Sequence, residues 1–153
     1  MTVADIDALA VADLGAVARI HAASFDDAWT ESVFRRILAM PGAYGLAARA
    51  AGALIGFAVA RIAGGECEVL SLAVDPTQRR AGVGARLLDA TIAAAMAQGA
   101  RILFLEVAED NAPALRLYQS RRLVVVGRRP NYYELPGGGA VAALTMRLDL
   151  PAP

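Results

Sequence analysis

Lysine is absent from this 153-residue sequence, and cysteine, histidine and tryptophan occur once each. The lone Cys67 excludes an intramolecular disulfide and leaves nothing from which to build a CxxC metal site, so no metal is expected. It also fits a reducing compartment. All 15 basic residues are arginines and 15 acidic residues balance them, so no whole-domain field gathers nucleic acid or an anionic membrane. Aromatic residues make only 6% of the chain although 57% of it is apolar, because alanine supplies much of that fraction. The core must therefore be built from small side chains. No apolar run reaches the roughly 18 residues that a membrane span needs. The opening Met1-Thr2-Val3-Ala4-Asp5 has no basic stretch and an early acid, which argues against a signal peptide. The expectation is one cytoplasmic domain over residues 1–153, with neither nucleic acid nor membrane as a partner.

What is present has a clear order. Apolar positions at helical spacing predict a first helix over 13–25, and Thr30 is the N-cap of a second over 31–40, stopped by Pro41-Gly42. The period then changes to extended. Strands over 44–49, 54–62 and 68–74, separated by Ala51-Gly52 and Gly64-Gly65, read as an antiparallel meander. A helix over 83–98, with Gly99 as its C-cap, precedes a nearly unbroken apolar strand over 102–107. Strand, helix, strand is a right-handed crossover, so the strand ending at Val74 and the one holding Glu106 should lie parallel. Asn111 and Pro113 open another helix, which closes at Arg121-Arg122. A strand over 123–126, a loop over 128–133, a Gly137-Gly138-Gly139 turn and a strand over 143–148 complete the chain.

The organising stretch is Arg79-x-x-Gly82-x-Gly84, between the strand ending at Val74 and the helix starting at Val83. Glycines at such a turn let successive amide N–H groups point into one concavity, and the helix N-terminus behind them adds partial positive charge. A diphosphate is the natural guest.

Together, D-P-T-Q-R-R-A-G-V-G, L-E-V-A-E-D-N-A-P-A-L-R-L-Y and R-P-N-Y-Y resemble the GCN5-related N-acetyltransferases, and more narrowly their RimI-type ribosomal-protein alanine N-acetyltransferases. The resemblance implies an α/β fold: a mixed, mostly antiparallel sheet splayed between two parallel strands, with helices on both faces. It implies acetyl-CoA as cosubstrate, its pyrophosphate on Arg79, Arg80, Ala81, Gly82, Val83, Gly84 and Ala85. The pantetheine arm is implied to run along Leu72, Ala73 and Val74, with Asn111 a further contact. By position, Glu106 resembles the general base, Tyr118 the general acid and the Val74 N–H the oxyanion donor. A protein N-terminus, that of a ribosomal protein favoured, is the implied acceptor, and Trp29, Tyr132 and Tyr133 flank its expected entrance.

Several residues depart from the pattern or have plainer readings. Arg122 stands where a glycine is usual after the tyrosine helix, and Ala142 where an acid is usual before the closing strand. Those departures leave open a small amine or a lysine side chain as acceptor, or a protein that binds acetyl-CoA without turnover. His21 reads as a surface or satisfied residue and Cys67 as structural, since no base stands near it in sequence. The oligomeric state is not legible.

Overall fold

The computed structural model describes residues 4–79 and 82–152, so Arg80 and Ala81, both expected on the diphosphate, lie outside the described residues. Seven strands form one sheet in the order β1-β2-β3-β4-β5-β7-β6. They are β1 (Asp5–Ala8), β2 (Ala43–Ala50), β3 (Ala53–Ala63), β4 (Glu66–Val74), β5 (Ile102–Ala108), β6 (Val124–Glu134) and β7 (Ala140–Asp149). Every neighbouring pair is antiparallel except β4 with β5, the parallel pair the crossover rule requires. Helices α1 (Leu14–Ser24) and α2 (Glu31–Leu38) cover one face; α3 (Val83–Ala97) and α4 (Ala112–Ser120) cover the other.

The local signals act as their chemistry dictates. The Thr30 hydroxyl accepts the Val33 N–H at 3.3 Å and caps α2. Gly99 takes φ +82° just beyond α3. On the α1/α2 side, Leu14, Val17 and Ile20 pack with Phe34 against Ala47, Phe57, Val59 and Ala73. On the other side, Leu88 and Ala95 of α3 and Tyr118 of α4 meet Leu103, Leu105 and Val107 of β5. Asp13, at the start of α1, is clamped by the Arg49 guanidinium at 2.7 and 2.9 Å, and Arg49 also reaches Asp7. The clamp ties β1, β2 and α1 together and holds the Asp13 carboxyl below the usual carboxylate range.

Three expectations need correction. Residues 128–133 are not a loop: β6 runs on through them to Glu134. The breaker signals there produce a wide bulge instead, with Arg129 opposite Ala143 and Tyr133 opposite Val141, so that two extra residues bow out around Asn131 at φ +55°. Ala142 lies inside β7 and is buried, not ahead of the strand. An unanticipated edge strand, β1, pairs with β2.

The glycine missing after α4 has a measurable cost. Arg122 keeps the left-handed conformation, at φ +69°, while Arg121 makes a two-point ion pair with Asp89 at 2.9 and 3.0 Å. A residue with a Cβ is strained there. Replacing Arg122 with Gly is therefore expected to stabilise the fold by about 1 kcal/mol, read as a higher urea midpoint with an unchanged m-value.

Candidate functional site

The site begins with one extra residue in β4. Ser71 stands opposite Val59 and Val69 opposite Ala60, so Leu70 has no partner on β3 and forms a bulge. A bulge bends its strand and breaks the ladder. Pairing between β4 and β5 runs from Glu66↔Ile102 to Val69↔Leu105 and ends there, immediately before the bulge. Beyond it β4 stays with β3 as far as Val74↔Gly56, and β5 stays with β7 as far as Ala108↔Ala143. The two parallel strands part like a V.

The open side of that V carries free backbone groups. The Asp75 N–H donates to the Ile55 carbonyl at 2.7 Å, which makes Gly56 and Val74 a non-hydrogen-bonded pair. By the alternation of an antiparallel ladder, the N–H and C=O of Val74, and of Leu72 two residues earlier, point away from β3; the Val74 C=O accepts the Arg79 Nε–H at 3.3 Å, which leaves the Val74 N–H and both Leu72 groups directed into the gap. Ala73 spends its groups on β3. Buried backbone donors of this kind require a partner, and an extended ligand with amides can supply it.

At the mouth of the gap, Gly82 takes φ +76° and α3 starts. A Cβ on Gly82 would meet nothing within 4 Å, so the space beside it is open. The N–H groups of Val83, Gly84 and Ala85 belong to the first turn and have no acceptor within the helix, since the first intrahelical bond is Arg86 N–H to the Gly82 carbonyl at 3.1 Å. Gly84 sits closely between Leu117 and Val74. Two buried polar atoms lack a partner among the described residues: the Arg86 Nη1 in this first turn and the Ser71 hydroxyl beside the gap. The free first-turn N–H groups suit an anion, the unpaired guanidinium nitrogen carried by the same end of α3 is a donor of the right charge, and an orphaned hydroxyl suits a polar chain threaded past β4. These residues fit acetyl-CoA. Arg79, beside the turn, also ties the fold together: its Nε–H donates to the Val74 carbonyl at 3.3 Å and its Nη2 to the Ser24 hydroxyl at 3.0 Å, strapping the end of β4 to α1. Asn111 caps α4 by accepting the Ala114 N–H at 3.3 Å, and its amide NH₂ has no partner among the described residues.

Glu106 and Tyr118 approach the gap from opposite faces. Along β5, Leu103, Leu105 and Val107 face α3 and α4, so Phe104 and Glu106 face the α1/α2 side, where Glu106 is exposed beyond the reach of those helices. Tyr118 comes from α4 beneath, 8% exposed, and burial pushes its hydroxyl up to about 12. It is a neutral donor at any ordinary pH. Tyr133 links the two: burial first and then the Glu106 charge raise its pKa, and Tyr133 in turn raises that of Tyr118. Tyr132, 44% exposed, turns outward and carries the Arg129 guanidinium 4.7 Å from its ring centre.

Trp29 belongs to an aromatic cluster under the loop between α1 and α2. It stacks on His21 at 5.0 Å, with Phe34 edge-on to both. His21 is buried and satisfied, its Nδ1 accepting the Trp29 N–H at 3.0 Å. Burial lowers the His21 pKa and the Asp27 charge opposes that only in part. A histidine whose folded pKa is depressed stabilises the fold fully above its unfolded value, near 6.5, and that contribution is lost as pH falls through the folded value. The thermal midpoint is expected to drop as the pH falls below about 6.5 in the wild-type protein, and a His21→Leu variant should lack that part of the drop. Cys67 is buried against the Tyr44 hydroxyl at 3.5 Å, and burial raises its thiol. It is inert by the rule that thiolates do the chemistry.

Sequence reasoning passed over Glu68. It stands in β4 opposite Arg61 and shares the α1/α2 face with Glu106. The available signal was a second acid, two residues after Glu66, at the start of a strand that is otherwise mostly apolar.

A sequence model described as the acetyltransferase (GNAT) family matches residues 14–122. The N-alpha-acetyltransferase RimI of Mycobacterium tuberculosis is 38% identical over 150 residues, covering 94% of this chain and 91% of that protein. The [ribosomal protein bS18]-alanine N-acetyltransferase of Haemophilus ducreyi is 36% identical over 97 residues, 63% of this chain and 67% of that one. Among solved structures, the ribosomal-protein-S18-alanine N-acetyltransferase of Escherichia coli superposes with a TM-score of 0.91 at 28% identity, covering 99% of this chain and 96% of that one.

Proposed function

Because the chain belongs to the acetyltransferase (GNAT) family, we propose that it acetylates the α-amino group of a protein N-terminus, with the N-terminus of a ribosomal protein as the favoured acceptor. The RimI-type relatives support that choice of acceptor class. The observation that carries the reaction is the parting of β4 from β5 with Glu106 on one face of the gap and Tyr118 on the other. An acceptor entering over the α1/α2 face and a thioester threaded from the α3 end meet there without sharing a path. Acetyl-CoA, when bound, supplies an acetyl thioester for direct attack.

Each residue has one task. The N–H groups of Val83, Gly84 and Ala85, with Arg86, hold the diphosphate, and the Leu72 and Val74 backbone aligns the arm as an added strand would. Glu106 takes a proton from the incoming ammonium, breaking an N–H bond and forming an O–H bond, so that the nitrogen lone pair is free to form the C–N bond. The Val74 N–H, already directed into the gap, faces the oxygen that gains charge. As the C–S bond breaks, its electron pair leaves on sulfur and Tyr118 donates the proton that sulfur needs; the second proton lost from nitrogen restores the tyrosine. Cys67 takes no part, so no acyl-enzyme forms.

Turnover on N-terminal peptides, lysine peptides, polyamines and aminoglycosides tests the acceptor class. The expected result is turnover on free N-termini, highest with alanine first, and none with the same peptides blocked at the α-amine. Preferred turnover on a lysine side chain or a small amine would replace this reading.

A further inference from the structure

The sheet ends in β1 on one side and β6 on the other. β1 is four residues long and exposes Asp5 and Asp7, which discourages any further strand from pairing there. β6 is blunted only in its second half, by Pro130 and the wide bulge. In its first half Val125 stands opposite Met146 and Gly127 opposite Thr145, so Val126 is an extra residue. Three valines in a row are left at the surface, Val124 at 59%, Val125 at 47% and Val126 at 56% exposure. A bare apolar run on a sheet edge marks an interaction site. Beside it opens a groove of about 390 Å³, lined by Arg122, Val124, Val126, Arg147, Leu148 and Asp149.

The charge around the valines is of one sign. Residues 111–133 hold five arginines and no acid. Arg121 pairs with Asp89, Arg128 with Glu109 and Arg147 with Asp149, and Arg129 lies over the Tyr132 ring. Arg122 makes no ion pair among the described residues, yet it holds the left-handed φ of +69° that glycine would take without strain. A strained backbone kept by an unpaired charged residue points to a use for that side chain. A second copy fits this edge poorly: an antiparallel β6 pair centred on Val125 would set Arg122 opposite a second Arg128, and like charges across strands repel. Single-stranded nucleic acid fits poorly too, because bases stack on aromatic rings and the apolar lining of the groove is aliphatic. The complement is a chain that is apolar at its centre and acidic at its ends.

We propose that the first half of β6 docks an extended segment of a partner protein, apolar at its centre and acidic on both sides. The centre lies on Val124, Val125 and Val126, and a carboxylate meets Arg122. No strand lies beyond β6, so its outward N–H and C=O groups are available to pair with the segment as an added strand. The surface is separate from the gap between β4 and β5. Gly127 and Glu106 both stand opposite Thr145, and the valines run from that level toward the end of α4, away from Tyr132 and Tyr133. A docked segment therefore leaves the gap open.

The probe is the peptide acetyl-Glu-Thr-Val-Val-Val-Thr-Glu-amide, whose blocked α-amine keeps it from serving as an acceptor. Titrated into the full chain, it is expected to move the amide resonances of residues 122–128 and 147–149 and to leave those of Glu106 and Tyr118 in place. Val124→Glu should weaken binding about 10-fold by removing apolar contact and adding a like charge. Arg122→Gly should weaken it about 2- to 5-fold at low salt, a difference that shrinks at about 0.5 M salt. That variant is expected to be more stable than the wild type, so its loss of binding cannot come from unfolding. Acetyl-CoA affinity should be unchanged in both. No shifts along β6, shifts centred on Glu106 and Tyr118 instead, or equal binding of the same peptide with arginine in place of both glutamates would overturn the proposal. So would a dimer in sedimentation that Val124→Glu dissolves, or displacement of the peptide by a uridine oligonucleotide, since the occupant would then be a second copy or a nucleic acid.

Discussion

Replacing Glu106 with Gln should lower turnover on an N-terminal peptide by about 100- to 10,000-fold while acetyl-CoA binds as tightly as before. Gln reproduces the size and polarity of Glu but cannot take a proton at neutral pH. The side chain is exposed and β5 is anchored through its opposite face, by Leu103, Leu105 and Val107. Stability should therefore change by no more than about 0.5 kcal/mol. The contacts proposed for the diphosphate and the arm lie on α3 and on the far strand, so the affinity measured by calorimetry should stay within about twofold. Loss of kcat with intact cofactor binding is the signature of a group that acts only in the chemical step. Full turnover in the variant would mean that the acceptor loses its proton elsewhere.

Tyr118→Phe should separate activity from stability even more sharply. Among the described residues the Tyr118 hydroxyl has no hydrogen-bond partner, although the ring is buried in the core beside Leu105 and Leu123. The hydroxyl is not among the fully buried unpaired atoms, so it reaches the open gap, and removing it costs the fold no hydrogen bond. The melting temperature should be nearly unchanged. Turnover should fall about 100-fold, because the departing sulfur then leaves without a positioned donor. The loss should be smaller with a thioester whose thiol is more acidic, since that leaving group needs the proton less. A variant that is unstable but normally active would reduce Tyr118 to core filling.

The fold was largely legible because its strongest signals are local. Asn111-Ala112-Pro113 at the start of α4, Thr30 before α2 and Gly99 after α3 each act through the few residues around them. The parallel pair followed from chirality alone. What escaped was whatever the hydrophobic pattern does not encode. β1 buries little, and its alternation, Asp5-Ile6-Asp7-Ala8, is only four residues long and gains its partners only through β2. The Leu70 bulge is invisible in L-S-L-A-V because each residue there is apolar or small, so a one-residue slip changes no pattern. That bulge nevertheless decides where β4 leaves β5. The tyrosine stretch misled in the opposite way: Arg-Pro-Asn signals a break, but pairing with β7 outlasts it and absorbs two extra residues.

The same limits hold for the site. The positions that a motif marks, Gly82, Gly84, Glu106 and Tyr118, could be named before any geometry was known. Tyr133 was named as an entrance residue, and its charge coupling to both Glu106 and Tyr118 depends on strand register across β6, β7 and β5. Glu68 needed the β4 register to come onto the same face as Glu106. The bonds of Arg79 to Val74 and Ser24 join elements far apart in sequence, which the motif does not announce. Spacing finds residues fixed by neighbours in the chain, whereas partners supplied by other strands appear only when the sheet is assembled.

The central claim is that the gap between β4 and β5 delivers acetyl to an α-amino group. Mass spectrometry of protein N-termini in cells with and without this gene tests it most directly. The account predicts that a small set of alanine-initiated N-termini, a ribosomal protein among them, loses a single acetyl group when the gene is removed and regains it with the wild-type gene but not with the Glu106→Gln form. Unchanged N-terminal acetylation, with acetyl instead lost from lysine side chains or small amines, would contradict it.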